Sequence, residues 1–233
     1  MKHSINKEYY DESKYFDQNI RTFADLETPF QKYRVSKVFE IYTPGKEERV
    51  LDLGCGWGTF CFAAAPLCKE ITGLDFSQKS IDLCGALLRK GNFTNIKFIC
   101  ADAQNTGLES GSYDVVICAD LFEHLYSDIS EKVLDECRRL LKNRGKLLIW
   151  TPHRGHILEI LKNNNIILKK EISHVDYKSM KYFLEILQNK RFLIRKNYYA
   201  ESHIPILNLL ERLSMRILPI MRRRIAVLAE KIE

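Results

Sequence analysis

Three groupings of residues in this chain have the types and spacing to do chemistry. The first is VLDLGCGWGT, Val50 to Thr59, where an apolar run carrying Asp52 leads into Gly54, Cys55, Gly56 and Gly58. Glycine permits positive φ and removes the Cβ atoms that would hold a ligand away, so backbone here can approach a bound molecule closely. The alternative is a tight strand-to-helix turn with no ligand. The second is Asp75 in ITGLDFS, Ile71 to Ser77, roughly twenty residues further on, where a strand-end carboxylate accepts both hydroxyls of a ribose or else caps a helix. The third is DLFEHL, Asp120 to Leu125. If that segment is helical, Asp120 and His124 share a face, and the carboxylate can orient or charge an imidazole acting as a base. The plainer reading is a histidine bonded to backbone at a helix start.

Spacing narrows the ligand. A dinucleotide turn reads GxGxxG, but the position of its last glycine is Thr59 here and the run is GxGxG. A nucleoside ligand without a pyrophosphate fits better, and a nicotinamide oxidoreductase is disfavoured. Asp102, in ADA at 101–103, is a further carboxylate that either meets an adenine amino group or caps a turn. Tyr9, Tyr10 and Tyr15 form an aromatic cluster that either closes over the ligand or pins the N-terminal segment. His153, Arg154 and His156 in TPHRGH, and His174 in EISHVDYKSM, are weaker candidates beside their reading as polar loop residues.

These residues need a frame to hold them. Short apolar runs alternate with helical patterns from residue 30 onward, which predicts βαβ units and a parallel sheet. Strands are expected at 49–53, 70–75, 96–100, 113–118 and 145–150, with helices near 30–42, 58–66, 78–90 and 129–142 and caps at Ser77 and Ser130. A helix at 177–188, a strand from Phe192 to Tyr199 and a closing strand from Arg223 to Ile232 complete the reading. The 233 residues, 45% hydrophobic and 28% charged, suit a single domain, 1–233. Within it, 1–30 is an N-terminal lid segment, 30–150 the binding core and 151–233 the substrate side. Seven cysteines without a CxxC pair point to reduced thiols in a cytoplasmic protein, with neither a disulfide framework nor a metal site. The N-terminus lacks the apolar core of a signal peptide, and no uncharged run is long enough to cross a bilayer.

The combined motifs resemble class I S-adenosylmethionine-dependent methyltransferases: VLDLGCGWG with GLDFS, ADA after the third strand, YDVVICADLFEHL through the fourth, and LLKNRGKLLIWTP into the fifth. Within that family the EH pair after the fourth strand is similar to quinone-biosynthesis O-methyltransferases of the type-11-like group. The resemblance implies a Rossmann-like, doubly wound α/β/α fold on a mostly parallel seven-stranded sheet whose last strand is antiparallel. It implies S-adenosylmethionine as cofactor, S-adenosylhomocysteine as product and transfer to a small-molecule or lipid-linked acceptor, at oxygen. Carried onto this sequence, Asp52, Gly54 and Gly56 would line the methionine moiety, with Cys55 and Gly58 also in the cofactor site, Asp75 the ribose, and Phe76, Asp102 and Ala103 the adenine. Ala119 and Asp120 would face the methionine amine and sulfonium, Arg34 the carboxylate, Tyr15 the closed site, and His124 with Asp120 the acceptor. A protein that binds the cofactor without the reaction is the rival reading.

The net charge of +6 is concentrated toward the C-terminus, yet no nucleic-acid-binding signature accompanies it. Residues 202–221 place Ile206, Leu209, Leu210, Leu213 and Ile217 at helical spacing, with Glu211, Arg212 and Arg216 opposite and Arg222, Arg223 and Arg224 following. Such a helix packs on the domain, forms a homodimer contact, or lies on a membrane surface as far as residue 224.

Overall fold

The computed structural model describes residues 10–11, 25–166 and 172–233. Seven strands form one sheet: β1 (Arg49–Leu53), β2 (Glu70–Asp75), β3 (Ile96–Cys100), β4 (Tyr113–Ala119), β5 (Leu141–Pro152), β6 (Phe192–Ala200) and β7 (Arg224–Lys231). Their order is β3-β2-β1-β4-β5-β7-β6. All pairs are parallel except those of β7, which runs antiparallel to both β5 and β6. The last strand lies where the sequence placed a closing strand, and it runs antiparallel as the resemblance implies.

Alternation along the strands builds a core on each face. Leu51, Leu53, Val116, Cys118, Leu147 and Ile149 point to one side. There they meet helix α4 (Ser127–Leu140) through Val133, Leu134 and Cys137, and helix α6 (Met180–Asn189) through Phe183 and Leu187. Val50, Val115, Ile117, Leu148 and Trp150 point to the other side. They pack on α1 (Pro29–Ile41), α2 (Thr59–Ala64) and α3 (Gln78–Lys90). Strands buried on both faces read as continuous apolar runs, which is why β1 and β4 were legible.

Caps fix the helix starts. Thr28 accepts from the Gln31 N–H with Pro29 at the first helical position, Ser77 accepts from Ser80, and Ser179 accepts from Tyr182. Ser130 is no cap: α4 begins at Ser127, so Ser130 sits inside its first turn and its hydroxyl turns back to the Leu125 carbonyl. Strand β5 starts at Leu141, earlier than expected, because the chain passes directly from α4 into the sheet and Arg144 takes a positive φ of 62°. A short helix α5 (Ile157–Asn163) follows the HRGH turn, where no helix was expected, and His156 caps it by accepting from Leu158. The segment after β6 forms α7 (Pro205–Ser214) and a single 3₁₀ turn at Pro219–Met221. All seven cysteines are free thiols.

The chain leaves β3 at one edge and returns to β4 beside β1, so the carboxyl ends of β1 and β4 diverge into a crevice. A reversal of strand order is where such sheets bind ligands.

Candidate active site

A cavity of about 590 Å³ opens at those carboxyl ends, a size suited to a nucleoside-bearing ligand. One wall is the glycine turn. Gly54, Gly56 and Gly58 all have positive φ, at 79°, 51° and 78°. They serve different purposes. A Cβ on Gly56 would meet nothing within 4 Å, so this is the backbone that faces open cavity. A Cβ on Gly54 would strike the Leu121 side chain at 2.9 Å, and one on Gly58 would strike Phe62, Phe98 and Cys84. Gly58 therefore allows helix α2 to start against the core; contrary to expectation, it does not line the cavity.

Asp75 anchors this turn as well as facing the cavity. Its two oxygens accept the Gly56 and Ser77 N–H groups, each at 2.9 Å, and each oxygen keeps a lone pair for a ligand hydroxyl. Burial raises its pKa, opposed by those backbone bonds. Asp52, by contrast, lies beneath the turn and does not line the cavity, so its expected contact with the methionine moiety is corrected. It is 1% exposed, takes the Cys61 thiol at 3.5 Å on one oxygen, and its Oδ1 has no hydrogen-bond partner among the described residues. Burial pushes this carboxyl up to about 7.

The adenine-side candidates Phe76, Asp102 and Ala103 line the cavity together with Cys55 and Ala119. Asp102 is also a turn former: it accepts from the Gln104 backbone N–H at 2.8 Å. Both readings of this residue therefore stand side by side. Tyr15 and Tyr9 lie outside the described residues. Tyr10, the described member of the cluster, has its ring 5.1 Å from Phe76 and its hydroxyl 3.0 Å from His124 Nδ1.

Asp120 and His124 do not form the expected pair. Asp120 takes a left-handed conformation, φ 55°, and only Phe122–His124 are helical, as one 3₁₀ turn. A single turn beginning after Asp120 cannot put the two on one helix face. The carboxylate goes instead to Arg34, whose Nε and Nη2 reach Oδ2 at 2.9 and 2.7 Å, and to Arg224 on Oδ1. Burial works against ionisation here, but Arg224 and Arg34 outweigh it and hold the carboxyl at about 2. Arg34 also lies over the Phe60 ring at 5.2 Å and donates to Gln31, so it lines the cavity as a fixed cation. Sequence reading missed Arg224 as a site residue, because it sat in a basic run that suggested a surface.

His124 Nδ1 lies 3.0 Å from the Ser173 carbonyl, which can only accept. Nδ1 thus carries the hydrogen, and in the neutral ring the lone pair is on Nε2. His174 repeats the pattern: its Nδ1 is 2.8 Å from the Tyr177 hydroxyl, which donates its own hydrogen to Glu159. Burial, with His124 nearby, pushes His174 down to about 2. Glu123, not singled out by sequence, is buried and accepts from Thr151 at 2.9 Å; burial and then Asp120 push it up to about 8. Among the described residues, Glu123, His124 and His174 each bring one ligand atom within 4.8 Å of the others. That donor set suits a divalent cation, which the sequence reading had not anticipated. His153 and His156 are spent elsewhere, on the Arg222 carbonyl and on Glu211, and Arg154 is exposed.

Residues 51–149, from β1 through β5, match the family described as "Methyltransferase domain". Residues 51–149 thus carry a methyltransferase domain. This methyltransferase chain is 28% identical to the uncharacterized methyltransferase YcgJ of Bacillus subtilis over 171 residues, 66% of each chain. The crystal structure of YcgJ superposes with a TM-score of 0.67 at 17% identity, covering 87% of this chain and 99% of that one. Similarity to the ubiquinone biosynthesis O-methyltransferase of Nitrosomonas europaea is 32% over 123 residues, 52% of this chain and 51% of that enzyme. The chain thus matches only about half the length of that relative. The fold also matches Haemonchus contortus phosphoethanolamine N-methyltransferase 2, solved with phosphomonomethylethanolamine and S-adenosylhomocysteine, at a TM-score of 0.75 and 19% identity over 97% of this chain and 60% of that one. The cradle fits the family's cofactor: Gly56 leaves room where a Cβ would intrude, and Asp75 offers two acceptors beside it.

Proposed function

We propose that this methyltransferase acts on a hydroxyl oxygen of a small or lipid-linked acceptor. The observation that supports this best is the combination, in one cavity, of the Asp75–Gly56 cradle with an imidazole whose Nδ1–H is fixed by Ser173. When bound, S-adenosylmethionine supplies an electrophilic methyl carbon and a good neutral leaving group. Asp75 would hold the ribose hydroxyls, Asp102 and Phe76 the adenine, and Arg34 the carboxylate end, with Asp120 held in place by its two guanidinium partners. His124 Nε2 takes the proton of the acceptor hydroxyl, while Tyr10 covers the site and excludes water. A base of this kind contributes roughly 10²–10⁴-fold, and an oxygen acceptor needs one where an unprotonated amine does not. The quinone-biosynthesis relative agrees with oxygen as the site of transfer.

The test is methyl transfer from labelled donor to a panel of catechols, hydroquinones and primary amines. Label is expected on oxygen. His124→Ala should lower kcat at least about tenfold while S-adenosylhomocysteine affinity stays unchanged. EDTA should leave the rate unaltered. A rate lost to EDTA and restored by a divalent cation would make Glu123, His124 and His174 a metal site and remove the base role. Cofactor binding with no product across the panel would favour the binding-protein reading.

A further inference from the structure

Helix α7 is docked with its polar side inward. Glu211 is fully buried, where it accepts from His156 Nε2 at 3.0 Å and from the Ser202 backbone N–H. Asn208 reinforces the arrangement by donating to the Ser202 carbonyl at 2.7 Å. The apolar side consequently faces out: Ile206 is 78% exposed and Leu213 71%, with Leu209 and Leu210 also exposed, and Ile217, just past the helix, is exposed as well. Packing on the domain, the ordinary use of such a helix, does not account for this face. Isolated exposed apolar residues need no explanation, but a run of them on one short element does.

Charge supplies the occupant. Glu211 is the one acidic residue between 202 and 224, and it is buried, whereas Arg212 and Arg216 beside the apolar face are exposed. An exposed apolar face with Arg212 and Arg216 exposed beside it is complementary to a surface that is anionic at its headgroups and apolar beneath them, and the acids of the neighbouring groove, Glu40 and Glu201, are both paired with Lys37. The face also adjoins the cavity. The ring of His203, just before α7, lies 5.1 Å from Phe30, and both Phe30 and Arg224, at the far end of the segment, line the cavity. We propose that residues 204–220 form a docking surface for an anionic phospholipid bilayer. This gives the lipid-linked option of the proposed function a physical route, but it is read by binding and does not require turnover.

Co-sedimentation of the full chain with phosphatidylcholine vesicles, with and without phosphatidylglycerol, tests it. Binding is expected only with the anionic lipid, and weaker in about 1 M salt, where the Debye length falls to roughly 3 Å. Leu209→Glu with Leu213→Glu should weaken it at least about tenfold, and Arg212→Glu with Arg216→Glu by a similar factor. All four residues are exposed, so the thermal midpoint should hold, and unchanged S-adenosylhomocysteine affinity should confirm an intact cavity. Failure to sediment at low salt, or binding that ignores the leucine changes, would overturn the proposal. Sedimentation velocity showing a dimer that the leucine changes abolish, with no vesicle binding, would assign the face to a second copy instead. Vesicle binding without methyl transfer would leave this surface standing and sink the reaction.

Discussion

At the scale of single residues, the site is a set of carboxylates driven apart by their surroundings. Asp120 sits between two guanidinium groups and stays ionised, while for Glu123, three positions on, burial and the Asp120 charge outweigh the help of Arg224, a backbone N–H and the Thr151 hydroxyl. The Glu123 pKa rises from 4.5 to about 8 on folding. Between those values the folded chain holds a proton that the unfolded chain releases, so stability from this group falls as pH rises across the window. Asp52, raised to about 7, acts in the same direction. Glu123→Gln keeps an acceptor for Thr151 and cannot ionise. Its thermal midpoint should therefore gain on that of the natural chain between about pH 5 and about pH 8. A constant difference across that range would return Glu123 to an ordinary carboxylate. Gly56 and Asp75 were legible because their work is done within one βαβ unit, from β1 through α2 to the end of β2. Arg224 was not, since its partner Asp120 lies 104 residues away in sequence.

Among the elements, α7 departs most from what periodicity implies. Its spacing is that of an amphipathic helix, and spacing alone says which residues share a face but not which face is turned inward. The buried hydrogen bonds of Glu211 decide that. Glu211→Ala would leave the His156 Nε2–H and the Ser202 N–H without their acceptor, a loss of about 2–5 kcal/mol. Leu213→Ala should cost no more than about 0.5 kcal/mol, as for other exposed positions. Urea denaturation of the two variants reads the contrast directly. If Leu213→Ala proves the more damaging, the helix docks in solution with its apolar side inward. The 3₁₀ turn at Phe122–His124 is a similar case: four-residue spacing suggested an Asp120–His124 pair, and the positive φ at Asp120 breaks it.

For the molecule as a whole, folding and cofactor binding should be linked, because the cradle joins the carboxyl ends of β1 and β2. The Gly54 and Cys55 N–H groups both donate to the Leu74 carbonyl, and Gly56 donates to Asp75. A ligand that binds only the folded state stabilises by about 2.7 kcal/mol at a hundredfold excess over its Kd. S-adenosylhomocysteine should therefore raise the thermal midpoint by a few degrees, and NADH should not. Asp75→Ala should keep the fold but lose most of the shift at the same ligand concentration, since a hydrogen bond to a charged group is worth about 1.5–3 kcal/mol. An undiminished shift would take Asp75 out of the ribose site.

By itself the sequence determined the strand order's raw material, the glycine turn and the cofactor class. Strands buried on both faces must be continuous apolar runs, and a turn that needs positive φ must be written in glycine, so both are local demands that leave a local record. Only the tertiary structure decided that Arg224 shares Asp120 with Arg34, that Tyr10 reaches His124, and that His174 joins Glu123 and His124. Those contacts form where segments distant in the chain converge at one end of the sheet, and nothing in the spacing of a single segment records which others it will meet. The orientation of α7 is of the same kind, fixed by Glu211 reaching His156 from 55 residues away.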